Sequence, residues 1–277
     1  LRSIRGANMG KMDPDTQEEM WERIKDTKTI IDLSTNDNGE VNEKPDDGRS
    51  CLRIVAVSDT HCQLGEMIRL GMIPDGDVLI HAGDITTIGD EASLCAFNEQ
   101  LGSLPHTHKV IIAGNHELGF DETEDESKRW PEYRGLGTRG GASLLTNATL
   151  LQDQHVMIEG IKFYGASWHP LPGFPFFQPR PALALKWEKI PEDTDVLITY
   201  SRFFTGYRDI FPPDERWGCS ALLEKVEKIR PRFHVFGHVH ACYGVSSNGT
   251  TTFINAASEK VARDGFNQPI VFYLPIP

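Results

Sequence analysis

Leu52-Arg53-Ile54-Val55-Ala56-Val57-Ser58-Asp59-Thr60-His61 decides the fold. A largely apolar, β-branched run of strand length ends in a polar turn that carries a carboxylate and an imidazole two positions apart. The same arrangement returns three times. Val78 to Ile80 leads into His81-Ala82-Gly83-Asp84, Val110 to Ile112 into Ala113-Gly114-Asn115-His116-Glu117, and Phe233 to Phe236 into Gly237-His238-Val239-His240. Short apolar runs bounded by Gly, Asp, Asn and Pro read as buried strands. In open α/β architectures ligands bind beyond the carboxyl ends of such strands, so four strand ends supply one set of polar donors.

Further runs of the same kind are Ile161 to Tyr164, Val196 to Ile198, Thr251 to Ile254 and Ile270 to Tyr273, and helical periodicity covers Glu91 to Leu104 and Ser220 to Ile229. Strand-helix alternation that gives way to strand-rich sequence predicts an α/β fold of two packed sheets with helices outside. Residues 13–25 read as a short polar helix capped by Asp13 or Asp15, with Met20, Trp21 and Ile24 along one side. Ser34 to Arg49 has linker composition. The chain therefore divides into an N-terminal segment over 1–49 and one domain over 50–277, with Leu1 to Asn8 left out of the fold reading.

Composition narrows the function. At 277 residues, 39% apolar and 25% charged, the chain has the profile of a globular enzyme with a sizeable core. A formal charge of -12 argues against an extended nucleic-acid or anionic-membrane surface. Cys51, Cys62, Cys95, Cys219 and Cys242 form no CxxC pair and read as reduced thiols. With no apolar run of membrane-spanning length and no signal-peptide pattern, the expected location is cytoplasmic. The expected partner is a small phosphorylated substrate, because bound cations can supply the positive charge that the surface lacks.

Mixed carboxylate, carboxamide and imidazole donors suit Mn, Fe, Zn or Ni rather than Ca alone, and the absence of thiolates speaks against a structural zinc knuckle. Gly83, Gly114 and Gly237 are read as tight turns before the donors. Each element alone is an ordinary capped turn. The ordered set, each member following a strand, points to a metal centre.

That order resembles the calcineurin-like metallophosphoesterase superfamily: Asp-x-His, Gly-Asp, Gly-Asn-His-Asp/Glu, a single His, then Gly-His-x-His. Ala113 to Leu118, Trp217 to Cys219, His234 to Gly237 and Pro269 to Pro275 are similar to its branch of metallophosphoesterase-domain-containing proteins, and the resemblance spans residues 50–277. It implies a four-layer sandwich of two mixed sheets flanked by helices, around a centre of two divalent transition metal ions. Manganese is the foremost candidate, with Fe, Zn, Ni or Co as others. Carried over, Asp59, His61 and His240 bind the first ion, Asn115 and His238 the second, and Asp84 bridges them. A water shared by the ions attacks phosphorus, and His116 protonates the leaving oxygen as general acid. The implied activity is phosphodiester hydrolysis, with cyclic nucleotides as the substrate class.

The pattern breaks at the single His. Where the superfamily has a strand ending in Thr-His-Gly-Pro-Pro, this chain reads Ile198-Thr199-Tyr200-Ser201-Arg202-Phe203-Phe204-Thr205-Gly206, and no histidine lies between His169 and His234. The second ion is left with a reduced and weaker donor set. Thr87 also stands where relatives carry an acidic residue that orients the catalytic histidine, a task open to Glu117. Three readings follow: a one-metal or weakened enzyme, a catalytically silent nucleotide-binding or scaffold protein that keeps one metal, or a segment altered in splicing or translation. Among the other candidates, His169 is mainly a loop histidine with access to the vacant position, and His81 is mainly a core histidine. His106, His108 and His155 read as solvated, Asp121 to Glu126 as a solvated loop, and Phe174, Phe176 and Phe177 as packing with a lesser reading as a base-binding wall.

Overall fold

The computed structural model describes residues 29–31, 40–42, 44, 50–200 and 218–277. Its strands are β1 (Thr29–Ile31), β2 (Cys51–Val57), β3 (Val78–Ala82), β4 (His108–Ile112), β5 (Thr149–Leu150), β6 (Gln154–Ile158), β7 (Ile161–Ala166), β8 (Val196–Thr199), β9 (Phe233–Phe236), β10 (Gly244–Ser247), β11 (Thr252–Asn255) and β12 (Ile270–Pro275). The α-helices are α1 (Leu64–Arg69), α2 (Glu91–Ser103), α3 (Arg180–Trp187) and α4 (Ser220–Ile229).

Strand β2 shows why the molecule forms layers. Successive side chains point to opposite faces of a strand. Leu52, Ile54 and Ala56 join the core between the sheets, while Val55 and Val57 join the core under the helices. Strands β3 and β4 divide in the same way, with Ile80 and Ile112 between the sheets and Leu79 and Ile111 under the helices. Burial on both faces accounts for their nearly continuous apolar sequence.

One sheet has the order β12-β2-β3-β4-β5, parallel except for β12. The other has the order β1-β10-β11-β9-β8-β7-β6, parallel from β11 to β7 and antiparallel at both flanks. Two mixed sheets with outer helices match the expected architecture. In register, Val57 lies opposite His81 and Ala82 opposite Ile112, so the turns after β2, β3 and β4 leave the sheet side by side. Helix α2 starts where Asp90 accepts a hydrogen bond from Ser93 N at 3.0 Å, and it buries Leu94, Phe97 and Leu101. Helix α4 buries Leu222, Leu223 and Val226 at the spacing of one helical face.

Several elements differ from the sequence reading. Strand β1 joins the edge of the larger sheet, and part of the expected linker is clipped to β12: Val41 N–H donates to Val271 O at 2.8 Å, and Asn42 exchanges hydrogen bonds with the Tyr273 backbone. The helix expected over 13–25 and the turn Ser201 to Gly206 lie outside the described residues. His106 is buried rather than solvated, beside Gly76. The acidic run also does more than meet solvent. Glu124 grips the buried Arg129 through two 2.7 Å contacts, and Arg129 Nη1 reaches the Leu136 carbonyl at 2.7 Å, which fixes the loop that carries Tyr133. All five cysteines are free thiols, as expected. No helix among the described residues is long and apolar enough to cross a membrane.

Candidate metal centre

The turn after β2 buries Asp59 completely. Its carboxylate accepts from Ser58 Oγ at 2.6 Å and from His238 N–H at 2.9 and 3.0 Å, which links the β2 and β9 turns. Ligand atoms of Asp59, His61 and His240 all lie within 4.8 Å of one another, and Asp84 Oδ2 is 3.7 Å from His61 Nε2. Burial alone would raise the Asp59 carboxyl, but the hydrogen bond and charge of His240, 3.5 Å away, with the charge of His61 and the Ser58 hydrogen bond, together outweigh it and hold the group down at about 2. Burial pulls on His240 in the opposite sense, and Asp59 more than offsets it, so this imidazole stays above its ordinary value. A buried carboxylate facing two imidazoles, with Asp84 beside them, fits a divalent transition metal ion.

Asp59 (φ 52°), His61 (φ 42°), Asp84 (φ 50°) and His238 (φ 73°) all have left-handed backbone. Side-chain residues avoid this region, and its concentration in the donor turns is the kind of strain that functional sites hold. The glycines act differently from the sequence reading. Only Gly83 turns with positive φ; a Cβ at Gly114 would overlap Asp84 and the Tyr200 ring, and one at Gly237 would overlap Ser58 and Asp59. Close approach, rather than turning, requires Gly114 and Gly237.

Asp84, Asn115 and His238 also converge, but on a side chain. The hydroxyl of fully buried Tyr200, one residue past β8, lies 2.5 Å from Asp84 Oδ2, 2.8 Å from Asn115 Oδ1 and 2.9 Å from His238 Nδ1. Burial, reinforced by the Asp84 charge, pushes this phenol well above its usual range and keeps it protonated. With the phenol there, these three donors do not fit a second ion.

His116 lies at the rim. Its Nδ1 is 2.5 Å from the Thr87 carbonyl oxygen, its backbone N–H donates to Asp84 Oδ1 at 3.0 Å, and its ring meets His61 edge-on at 5.0 Å. Ligand atoms of His61, Asp84 and His116 fall within 4.8 Å of one another, so His116 also borders the Asp59, His61 and His240 cluster. Tyr133 and Phe174, both half-buried, stand 6.2 and 5.9 Å from its ring and 5.0 Å from each other, measured between centroids.

Residues 52–242 match the family described as calcineurin-like phosphoesterase. The chain belongs to that family. The UPF0046 protein K07C11.7 of Caenorhabditis elegans is 49% identical over 270 residues, which cover 97% of this chain and 91% of the relative. Human metallophosphoesterase domain-containing protein 1 is 43% identical over 243 residues, 81% of this chain and 72% of that protein. Among solved structures, a phosphopantetheinyl hydrolase from Mycobacterium tuberculosis superposes with a TM-score of 0.51 at 13% identity, over 78% of this chain and 95% of the other, a likeness of fold alone.

Within this calcineurin-like phosphoesterase, one supporting carboxylate was absent from the sequence reading. Glu259, in the loop after β11, sits 3.5 Å from His240 Nδ1, on the opposite side of the ring from Asp59. Such a carboxylate fixes the ring's tautomer and orientation. Its sequence signal was a carboxylate in the turn after another strand. Glu117 does not orient His116: its carboxylate accepts from Gly114 N–H at 2.6 Å and Thr86 N–H at 2.9 Å, tying together the turns after β3 and β4. Burial, then the Asp84 charge, raises its carboxyl to about 7. His81 is a core histidine that braces the Asp-x-His turn through Thr60 Oγ1 at 2.9 Å. His169 is not in the vacant position; it lies edge-on to the Tyr200 ring at 5.9 Å, and Tyr200 fills the place instead. Phe176 packs against Trp168, whereas Phe174 faces the site.

The His240 shift gives a test. In metal-free protein, the stability from the Asp59–His240 pair is fully present between pH 3.8 and 6.5, the unfolded carboxyl and imidazole values, and is lost as pH rises through the higher folded value of His240 or falls toward the Asp59 value of about 2. Because an ion needs the imidazole lone pair, cation binding near pH 6.5 should release a proton, with less released as pH rises. Calorimetric titration in buffers of different ionisation enthalpy measures this. Proton release that does not vary with pH, or that survives unchanged in His240→Gln, would contradict it.

Proposed function

We propose that this chain is a metal-dependent phosphodiesterase that acts on cyclic nucleotides, with a divalent ion, manganese foremost, held by Asp59, His61, His240 and Asp84. The observation that carries the reading is the gathering of the Asp59, His61 and His240 ligand atoms within 4.8 Å of one another, beside His116. A divalent ion bound there lowers the pKa of water and neutralises phosphoryl charge.

The chain's own residues do the rest. The Thr87 carbonyl accepts from His116 Nδ1–H whether the ring is neutral or charged, which leaves Nε2 as the atom that gains and gives up a proton. His116 thereby serves as general acid toward the leaving oxygen. Glu259 and Ser58 hold His240 and Asp59 in place. The Tyr133–Phe174 pair beside His116 supports a substrate with a planar base, since aromatic faces stack on one another.

Metal-stripped protein should hydrolyse a bis-aryl phosphodiester only after manganese is added, and 2′,3′- or 3′,5′-cyclic nucleotides should compete with that substrate. Activity that is insensitive to chelator would contradict the mechanism. Inactivity with the ion bound would favour the non-enzymatic nucleotide-binding reading, to which the filled second position also lends support.

A further inference from the structure

The Tyr200 phenol stands where a second ion would have to bind, and we infer that it replaces that ion permanently, making the centre a one-metal centre by construction. The inference rests on the reading that Asp59, His61 and His240 hold an ion, and it goes beyond that reading in fixing how many ions there are and what stands in for the missing one.

The geometry carries it. One oxygen atom makes hydrogen-bond contacts of 2.5, 2.8 and 2.9 Å to Asp84, Asn115 and His238, the three donors left for a second ion. A transition metal ion would need the same donors at about 2.0–2.2 Å, so ion and phenol are mutually exclusive. The ring has no easy retreat. Tyr200 is completely buried, belongs to the core between the sheets, and lies so close to Gly83 and Gly114 that a Cβ on either would collide with it. Close packing of this kind resists the rotation that would free the position.

The proton inventory agrees. A neutral phenol has one proton to give and lone pairs with which to accept. Giving its proton to the Asp84 carboxylate makes a charge-assisted bond, and the oxygen then accepts from His238 Nδ1–H. Asn115 turns its carboxamide oxygen to the phenol at 2.8 Å, the same atom an ion would take, so the single phenol proton lies between the Asp84 and Asn115 oxygens. The phenol thus does the positioning work of an ion, holding three side chains from three strand ends, while contributing no charge. Tyr200 is in this sense a positioning residue.

The test counts ions without relying on turnover. Full-length protein is stripped with chelator, loaded with excess manganese and passed over a desalting column; bound metal is then counted by mass spectrometry, and the Mn(II) resonance spectrum is recorded. Wild-type protein should hold one ion per chain with the spectrum of an isolated ion. Tyr200→His should approach two per chain and show an exchange-coupled pair. Tyr200→Phe keeps the ring in place and should stay at one, with a lower melting temperature because buried Asp84 and Asn115 and half-buried His238 each lose one hydrogen-bond contact. Two coupled ions in the wild-type protein would overturn this inference and leave the phosphodiesterase reading intact. Absence of any bound ion in the wild-type protein would overturn both. Because the wild-type count decides between these outcomes, the test survives a failure of either variant to fold.

Discussion

Asp59→Asn should empty the metal centre. The substitution keeps the size of the side chain but removes the carboxylate that faces His61 and His240, and it places an amide N–H2 among groups that already donate: Ser58 Oγ–H and His238 N–H. One oxygen cannot accept all that the carboxylate accepted, and the charge that holds His240 above its ordinary value is gone. Loss of a mere supporting partner costs roughly 10–100-fold in metal affinity or activity, so loss of a ligand should exceed about 10²-fold in turnover and leave bound manganese near zero. Metal analysis and phosphodiester turnover on the same preparation check this, with circular dichroism to confirm the fold. Retained metal together with retained turnover would place the ion elsewhere.

His116→Ala separates proton transfer from metal binding. The ring hangs from the Thr87 carbonyl at the rim, and its removal takes away a ring contact to His61 but none of the Asp59, His61 and His240 ligand atoms. Turnover of a diester with a poor leaving group should fall by about 10²-fold or more, while one with a nitrophenolate leaving group, which needs little protonation, should fall much less. Bound manganese should stay nearly unchanged. Because the His116 ring is also within reach of His61 and Asp84, a collapse in metal content would make it a ligand and overturn this division of roles.

The donors were legible because chemistry and fold constrain the same positions. Strands buried on both faces write continuous apolar runs, and polar residues at their ends have few structural reasons to be Asp, Asn and His together. Elements without that constraint left weaker traces. Strand β10, Gly-Val-Ser-Ser, has no apolar run, and in strand β6 the short run Val156 to Ile158 follows exposed Gln154 and His155; helix α1 has only six residues and no side-chain cap, and helix α3 follows Pro179 at its N-terminus. At Tyr200 the sequence showed that an imidazole was missing but not that a phenol would reach all three orphaned donors, since that depends on the packing of the two sheets around Gly83 and Gly114. The partner of His116 was hidden for a different reason. A backbone carbonyl does the orienting, and every residue carries one, so the identity of Thr87 gave no sign of it.

The central claim is one ion among Asp59, His61, Asp84 and His240, with the Tyr200 hydroxyl in the neighbouring position. A crystal structure of manganese-loaded protein, with anomalous data collected on the metal's absorption edge, measures both at once. The account predicts a single anomalous peak in contact with Asp59, His61 and His240, and ordinary phenol density between Asp84, Asn115 and His238. A second peak about 3.5–4 Å from the first, the spacing of two-metal phosphatases, with Tyr200 turned away, would contradict it.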